Sequence, residues 1–303
     1  MYIIQWIRIF SITLFFCFYQ IALDAKIVLK LAQCTVVSES AILIDADSGE
    51  ILFQKNASKP CFPASLTKIA TALYALKAKK IEQNTLIEAS QNAIGTITPA
   101  AKRKNNYKFP SYWIETGSTH ISICKGEKLS FKDLLYAVLM GSANDASNVL
   151  AEYVGDGSID KFMKDLNLYL KKIGCKETCF LNPHGLHHPK HQTSARDLAI
   201  MARNAMKIPL FADIVCKKSY VCKETNEKPC RSLVQRNSLL REGSDYYKYA
   251  IGIKTGYTLD AGPTLVAAAK KDGRTLIAVV LLCKKRSNAN QDVIKLFNAG
   301  FAL

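Results

Sequence analysis

The tetrad Ser65-Leu66-Thr67-Lys68 opens a stretch whose apolar spacing predicts a helix with one buried face. Pro63 stands just ahead of it, at a position where helices tolerate proline. Ser65 and Lys68 are three residues apart, so they share a face of that helix. A serine hydroxyl next to an amine has the chemistry of a nucleophile beside its own base. On the tetrad alone, the simpler interpretation of a helix-capping serine and a solvated lysine is favoured.

Two further short motifs change that balance. Ser142-Ala143-Asn144 follows an apolar helical run, and Lys254-Thr255-Gly256 follows Tyr249-Ala250-Ile251-Gly252-Ile253. Singly, the first motif fits a helix cap and the second fits a strand end followed by a turn. Jointly and in this order, S-x-x-K, S-x-N and K-T-G are typical of penicillin-binding serine acyl-transferases.

The chain closely resembles low-molecular-weight penicillin-binding proteins of the D-alanyl-D-alanine carboxypeptidase family. The residues around the motifs match as well, in Pro-Ala-Ser-Leu-Thr-Lys, Gly-Ser-Ala-Asn-Asp-Ala and Gly-Ile-Lys-Thr-Gly-Tyr-Thr. The resemblance extends from about Ala41 to about Phe301. It implies an α+β fold of the β-lactamase/transpeptidase-like type.

The residue patterns predict a compatible arrangement of elements. Residues 41–45 and 50–53 flank Asp47-Ser48-Gly49 and indicate an early hairpin. Helices are predicted from Ser65 to about Lys80, at 131–140, after Ser158, at 195–206 and at about 289–300. The predicted late strands are 214–222, 230–238, 248–255, 262–270 and 274–283. This order describes an antiparallel sheet flanked by helices, plus a helical lobe.

The domain organisation comprises an N-terminal targeting segment and one catalytic domain. Residues 1–25 are predicted to be a signal peptide or an N-terminal anchor, because Arg8 precedes the apolar segment 9–23 and small residues end it. Residues 36–303 are predicted to form the β-lactamase/transpeptidase-like domain, without the C-terminal β domain that many family members carry. We expect an exported, periplasmic protein, with inner-membrane association through the N-terminal segment left open.

The net charge of +16 suits anionic partners such as nucleic acid, acidic lipids or wall polymers. No nucleic-acid-binding pattern accompanies the charge, so we expect no nucleic-acid partner and leave open a peripheral contact with membrane or wall. The runs Lys102–Lys104 and Lys284–Arg286 are interpreted as solvated faces. Compared with the family, residues 102–113 are a basic insert, predicted to be a surface loop at the rim of the site.

Neither cysteines nor histidines predict a metal site. Nine cysteines follow the N-terminal segment at spacings unlike those of zinc knuckles, and their pairing stays open. His184, His187, His188 and His191 form a cluster, but neither H-E-x-x-H nor H-x-x-E-H occurs. Residues 182–186 also resemble a family loop with no metal role. We expect no metal and no cofactor.

The resemblance assigns a role to each motif residue. Ser65 is the nucleophile, Lys68 its general base, and Ser142 a relay that passes a proton to the leaving amine. Partial burial and the nearby charge of Lys254 are expected to keep the Lys68 amine neutral. The backbone N–H groups of Ser65 and Tyr257 form the expected oxyanion hole. The residues expected to bind substrate are Asn144, Lys254, Thr255, Gly256 and Tyr257.

Arg196 belongs to Ser194-Ala195-Arg196-Asp197, which also recurs in the family. Support of the carboxylate site and a plain place on a helix surface are equally compatible with its position.

The resulting hypothesis is a serine-type D-alanyl-D-alanine carboxypeptidase that trims peptidoglycan stem peptides through an acyl-enzyme and is inhibited by β-lactam antibiotics. The alternatives are a D,D-endopeptidase or β-lactamase on the same fold, or a non-catalytic wall-binding relative. A class A β-lactamase needs a glutamate that activates water, and the nearest sequence, Asp165-Leu166-Asn167, has none. A silent relative would lack a motif residue, and all are present. The sequence leaves the choice between carboxypeptidase and endopeptidase open.

Overall fold

A five-stranded antiparallel sheet forms the centre of the molecule. A computed structural model describes residues 34–303, so the predicted signal peptide or anchor at 1–25 lies outside the described residues. Its strands are β1 Ser40–Asp45, β2 Ile51–Lys55, β9 Ala250–Thr258, β10 Gly262–Lys271 and β11 Arg274–Leu281. Across the sheet they follow the order β2-β1-β11-β10-β9. The early hairpin and the last three predicted strands are therefore present, and β9 lies at an edge.

The described helices pack on both faces of this sheet and in a separate lobe. A short 3₁₀ turn, Ala64–Leu66, leads into α1 Thr67–Ala78. The others are α2 Pro99–Lys104, α3 Phe131–Tyr136, α4 Asn144–Val154, α5 Ile159–Lys172, α6 Ala195–Met206, α7 Pro209–Cys216 and α8 Arg286–Gly300. A π-helical turn, Ala137–Gly141, continues α3. An α+β fold with an antiparallel sheet, flanking helices and a helical lobe is confirmed.

Alternation along the strands divides the core into two layers. On β1, Ala41 and Leu43 face α8, whereas Ile42 and Ile44 face α6 and the helical lobe. Side chains of a strand point alternately to its two faces, so one continuous apolar strand fills both layers. The lobe side is the larger layer and contains α1, whose residues are buried almost throughout its first two turns.

Three two-stranded sheets complete the described chain. They pair β3 Leu86–Glu88 with β6 Lys128–Ser130, β4 Thr96–Ile97 with β5 Ile114–Glu115, and β7 Ser219–Cys222 with β8 Arg231–Val234. The fully buried carboxylate of Glu127 accepts a hydrogen bond from Arg231 Nη2 at 2.9 Å. This contact fixes the β7–β8 hairpin to the helical lobe beside β9.

One predicted strand is wrong in its first half. Residues 214–216 belong to α7, and the strand begins only at Ser219. Ile214 and Val215 are β-branched and apolar, which favours a strand locally. In the fold, Pro209 occupies the first turn of a helix, and Phe211, Ile214 and Val215 share its buried face.

The basic insert also differs from its prediction as a surface loop. Part of it is helical, because α2 covers Pro99–Lys104. Lys102 is only 3% exposed, and its Nζ lies 2.8 Å from Glu115 Oε1, so the run at 102–104 is not simply a solvated face. Ser111 donates a hydrogen bond to the Leu181 carbonyl and fixes the insert to the loop behind α1.

Within residues 34–303, no helix combines the length and apolar character needed to cross a membrane.

Candidate active site

Ser65 lies in the 3₁₀ turn that precedes α1. Ala64, the residue before it, has a φ of +50°, a conformation uncommon for a residue with a Cβ. Gly185 lies against the Ala64 carbonyl, with no space for a Cβ between them. The half-buried Ser65 is therefore held in a turn with unusual backbone geometry at the edge of a cleft.

The amine of Lys68 is completely buried next to Ser65. Its Nζ donates to Ser65 Oγ at 3.1 Å, to Asn144 Oδ1 at 2.7 Å and to the His184 carbonyl at 2.7 Å. Burial, followed by the nearby charges of Lys254 and Arg236, holds the pKa of this amine well below its usual range. Burial and the charge of Lys254 were the two causes expected to keep the Lys68 amine neutral. Both are present, and the burial is complete rather than partial. A buried amine with a lowered pKa, in contact with a hydroxyl, is suited to accept its proton.

The histidine cluster supports α1 from behind. His184 Nε2 lies 3.0 Å from the Tyr112 carbonyl, and His191 Nε2 lies 2.9 Å from Thr67 Oγ1. Burial, followed by the charge of His188, lowers the pKa of His191 to about 3, so this ring is neutral at pH 7. These two side chains fix the loop whose carbonyl at residue 184 contacts Lys68. Among the described residues, no group of His, Cys, Asp and Glu side chains has the geometry of a metal site.

The S-x-N motif follows the π-helical turn 137–141. Ser142 is left-handed, with φ 61° and ψ 30°, which turns the chain before α4 begins at Asn144. The amide side chain of Asn144 accepts from Lys68 and donates through Nδ2 to Ser118 Oγ at 3.0 Å. Its backbone N–H donates to the Thr119 carbonyl at 2.9 Å. The motif therefore places a hydroxyl in the cleft and an amide beneath it.

The K-T-G motif lies on the edge strand β9, facing the serine turn. Lys254 is buried, and its Nζ donates to the Thr255 carbonyl at 3.0 Å. Burial, together with the charges of Arg236 and Arg286, lowers the pKa of Lys254 to about 7. A Cβ on Gly256 would lie 3.1 Å from the Ser65 backbone nitrogen, so the strand passes directly beside the serine.

A cleft of about 730 Å³ connects the three motifs. The predicted residues that line it are Ser65, Ser142, Thr255, Gly256 and Tyr257. The other three predicted residues, Lys68, Asn144 and Lys254, are buried directly beneath these. All eight residues thus gather at the junction of the sheet edge and the helical lobe.

Three arginines that line the cleft were not predicted from the sequence. Arg236, Arg241 and Arg286 line it together with the β8 wall. Arg286 had been assigned, with its neighbours, to a solvated face, and the segment containing Arg236 and Arg241 has no motif. Their common location depends on how β8, β9 and α8 pack, so no local pattern could have revealed it.

Arg196, by contrast, lies away from this cleft. Its Nη2 donates to Gln54 Oε1 at 3.1 Å, on the face formed by the β1–β2 hairpin and α6. The interpretation of Arg196 as support for the carboxylate site is therefore wrong, and its place on a helix surface is the correct alternative.

Comparison with known proteins identifies the family. The model of the D-alanyl-D-alanine carboxypeptidase family, Peptidase_S11, matches residues 27–285. The chain belongs to this family. The membership predicted from the motifs is thereby confirmed, and it covers every residue of the proposed site except Arg286.

Two relatives within the D-alanyl-D-alanine carboxypeptidase family are identical to this chain at about a third of the aligned positions. D-alanyl-D-alanine carboxypeptidase DacF of Bacillus subtilis (strain 168) is 32% identical over 268 residues, and DacC of Escherichia coli (strain K12) is 33% identical over 272. Each alignment covers 88% of this chain and 62% of the relative. The chain thus spans less than two thirds of the length of these two proteins.

Solved structures of similar proteins share the fold. The Streptomyces K15 DD-transpeptidase superposes with a TM-score of 0.76 at 26% identity, covering 89% of this chain and 98% of that one. D-alanyl-D-alanine carboxypeptidase from Mycobacterium tuberculosis H37Rv gives a TM-score of 0.74 at 27% identity, covering 89% and 92%. A β-lactamase/transpeptidase-like architecture is thereby confirmed.

Proposed function

We propose that the chain is a serine-type D-alanyl-D-alanine carboxypeptidase that acts on peptidoglycan stem peptides and is acylated by β-lactams. One observation carries the proposal: the buried Lys68 amine donates to Ser65 Oγ at 3.1 Å, at the base of a cleft whose other wall holds Lys254 and Thr255. The first pair supplies a nucleophile and a base, and the second supplies an anchor for a free carboxylate. Family membership and the names of the relatives support the same activity.

Acylation begins when Lys68 Nζ takes the hydroxyl proton of Ser65. The Ser65 Oγ attacks the carbonyl carbon of the penultimate D-alanine, and the backbone N–H groups of Ser65 and Tyr257 stabilise the oxyanion. One such hydrogen-bond donor typically increases kcat by a factor of about 10²–10³. The carbon–nitrogen bond then breaks, and Ser142 passes the proton from Lys68 to the leaving amine of D-alanine. The product of this step is an ester on Ser65.

Deacylation completes the cycle. Water attacks the ester carbonyl and gives its proton to Lys68, which returns it to Ser65 Oγ as the peptide leaves with its new carboxyl terminus. No glutamate or aspartate lines the cleft among the described residues, and a class A β-lactamase needs a glutamate to activate water. We therefore propose that the ester formed with penicillin is long-lived, which separates this enzyme from a class A β-lactamase.

The carboxylate anchor favours removal of one terminal residue over internal cleavage. Lys254 and Thr255 offer a cation and a hydroxyl beside β9, and Arg236 and Arg286 add charge to the same part of the cleft. A free carboxylate next to the scissile bond satisfies these groups. An internal peptide bond would leave them without a counter-charge.

Mass spectrometry after incubation with penicillin tests the proposal. We expect one adduct, on Ser65, that persists for many times the acylation time, and release of D-alanine from a peptide ending in D-Ala-D-Ala. The Ser65→Ala variant should show neither, while its circular dichroism stays that of the wild type. An adduct on another residue, or rapid penicillin turnover, would contradict the assignment.

We propose an envelope location, because peptidoglycan lies outside the cytoplasm. The predicted segment at 1–25 would direct export, with cleavage near Ala25 favoured. The charge of +16 would add a weak attraction to anionic lipid or wall polymer that salt screens within about 10 Å. N-terminal sequencing and a high-salt wash of membranes test this. An intact Met1 and salt-resistant pelleting would indicate an anchor instead.

A further inference from the structure

We infer that the leaving-residue side of the cleft binds a second anionic group, so that the enzyme accepts peptides whose C-terminal D-residue has an acidic side chain, with Arg241 as the specificity-determining residue. The inference rests on the proposed function and deepens it, because it concerns which residue follows the scissile bond. The bond that breaks and the path of the proton are those already described.

The charge of the cleft exceeds what one carboxylate can balance. Three guanidinium groups line it, those of Arg236, Arg241 and Arg286, with buried Lys254 beneath. The arginine ion pairs of residues 34–303 lie elsewhere, at Arg231 with Glu127 and Arg274 with Asp45. A C-terminal D-alanine brings a single negative charge to this wall. Several arginines that line one cleft without a carboxylate among the lining residues favour a ligand with more than one anionic group.

The three arginines differ in their relation to Lys254. Arg236 precedes Asn237, whose Nδ2 donates to the Gly252 carbonyl of β9 at 3.1 Å, and Arg236 Nη1 donates to Thr119 Oγ1 at 3.5 Å. The charges of Arg236 and Arg286 also lower the pKa of Lys254. These two therefore belong with the anchor for the α-carboxylate. Arg241 follows the 3₁₀ turn Ser238–Leu240 and lines the same cleft, exposed like the other two, but its charge is not among those that lower the pKa of Lys254.

The cleft also has room beyond a methyl group. The cleft has a volume of about 730 Å³ and is also lined by Leu233 of β8 and by Gln235, which follows β8. The side chain of a D-alanine leaving residue is one carbon. A longer side chain, such as that of D-glutamate, can extend within the cleft and present its carboxylate to Arg241 while its α-carboxylate binds beside Lys254.

Paired peptides that differ only in charge test the subsite. Acylated D-Ala-D-Glu and D-Ala-D-Gln have leaving residues of nearly equal size. We expect kcat/KM to favour D-Glu by about three- to fivefold at low ionic strength, with the ratio falling toward one at about 0.5 M salt. We expect Arg241→Gln to reduce the ratio to about one and Arg241→Glu to invert it, while Arg241→Lys retains most of the preference.

A control variant separates a local subsite from the overall charge. Lys207 is exposed at the end of α6 and does not line the cleft, and Lys207→Gln removes the same charge. We expect it to leave the D-Glu to D-Gln ratio at the wild-type value. If Lys207→Gln lowers the ratio as much as Arg241→Gln does, the effect is general electrostatics and the inference is wrong.

Binding to the Ser65→Ala protein separates this inference from the proposed activity. That variant holds both peptides without cleaving them, so the ratio of their dissociation constants reports the subsite alone. A ratio of three to five that depends on Arg241 supports the subsite even if the wild type releases no D-alanine. Equal dissociation constants overturn it, even if D-Ala-D-Ala is cleaved normally.

Discussion

Asn144 Oδ1 accepts a hydrogen bond from Lys68 Nζ at 2.7 Å, although 76 residues separate the two in the sequence. The same side chain donates to Ser118 Oγ, so its orientation is fixed from both ends. A carboxylate at this position would stabilise the protonated amine far more than a neutral amide does. The amide therefore orients the proposed base while leaving it able to lose its proton.

We predict that Asn144→Asp lowers the penicillin acylation rate at pH 7 by about 100-fold, because a carboxylate beside Lys68 raises the pKa of the amine. The rate should recover as pH rises, so the acidic limb of the pH profile moves to higher pH. Asn144→Ala should also slow acylation, because Lys68 loses a contact that orients it, but the acidic limb of its pH profile should not move to higher pH. Stopped-flow acylation between about pH 5 and pH 10 distinguishes the two, and superimposable profiles would exclude the proposed coupling.

A second prediction concerns the pH dependence of carboxylate recognition. The pKa of Lys254 is lowered to about 7, so the free enzyme loses this positive charge as pH rises through neutrality. We expect kcat/KM for a D-Ala-D-Ala peptide, divided by that for its C-terminal amide, to fall by at most about tenfold between about pH 7 and pH 8.5. The remaining preference belongs to Thr255 and the arginines.

The amide peptide is its own control for Lys68. Both substrates need neutral Lys68 as the base, so the pH dependence that arises from Lys68 cancels in the ratio of the two kcat/KM values. The Thr255→Ala variant should lose most of the advantage of the carboxylate peptide and little of its activity on the amide. A ratio that is flat with pH, or amidation without cost to the wild type, would show that the anchor is misassigned.

Much of the site could be predicted because its chemistry is local. Ser65 and Lys68 are one helical turn apart, and that spacing alone brings hydroxyl and amine together. Glycine at 141 predicted the turn that presents Ser142, and the alternation on β9 and β10 predicted two strands of the sheet. In each case a short-range rule determines the geometry.

The rest depends on contacts between distant segments. Arg236 and Arg286 meet because the hairpin β7–β8 and α8 converge on the end of β9, and no spacing in the sequence encodes that. Ile214 and Val215 are β-branched, which favours a strand, but they lie on one buried face with Phe211, and the packing of that face against the core stabilises a helix. Arg196 belongs to a short sequence that recurs in the family, yet its helix directs it toward the β1–β2 hairpin, away from the cleft.

A third prediction concerns the close passage of β9 beside the serine. A Cβ at position 256 would overlap Thr264 Oγ1 and lie 3.1 Å from both the Pro63 carbonyl oxygen and the Ser65 nitrogen. We expect Gly256→Ala to reduce acylation by penicillin at least tenfold, because the strand must move away from the serine turn. The double variant Gly256→Ala/Thr264→Ala removes the side-chain overlap but not the backbone contacts. It should therefore regain thermal stability without regaining acylation, and recovery of both would place the defect in packing alone.

The last prediction treats Lys254 as a source of instability. A lysine whose pKa falls from its ordinary value to about 7 on folding binds fewer protons in the folded state than in the unfolded state between those two values. Stability therefore rises with pH across that window, from about pH 7 to about pH 10, and the buried amine costs stability below it. We expect Lys254→Met to raise the free energy of unfolding at pH 7 by about 1–4 kcal/mol while abolishing most D-alanine release.

Urea unfolding of both proteins at about pH 7 and about pH 10 measures this. The difference between them should shrink at the higher pH, because there the wild-type lysine is neutral in the folded state and loses protons in the unfolded state as well. Lys207→Met, at an exposed position, provides the matched control and should change stability by less than about 0.5 kcal/mol at either pH. A Lys254→Met protein that is less stable than the wild type at pH 7 would mean that contacts of the folded protein offset the cost of burying this amine. The claim that Lys254 destabilises the fold would then be wrong.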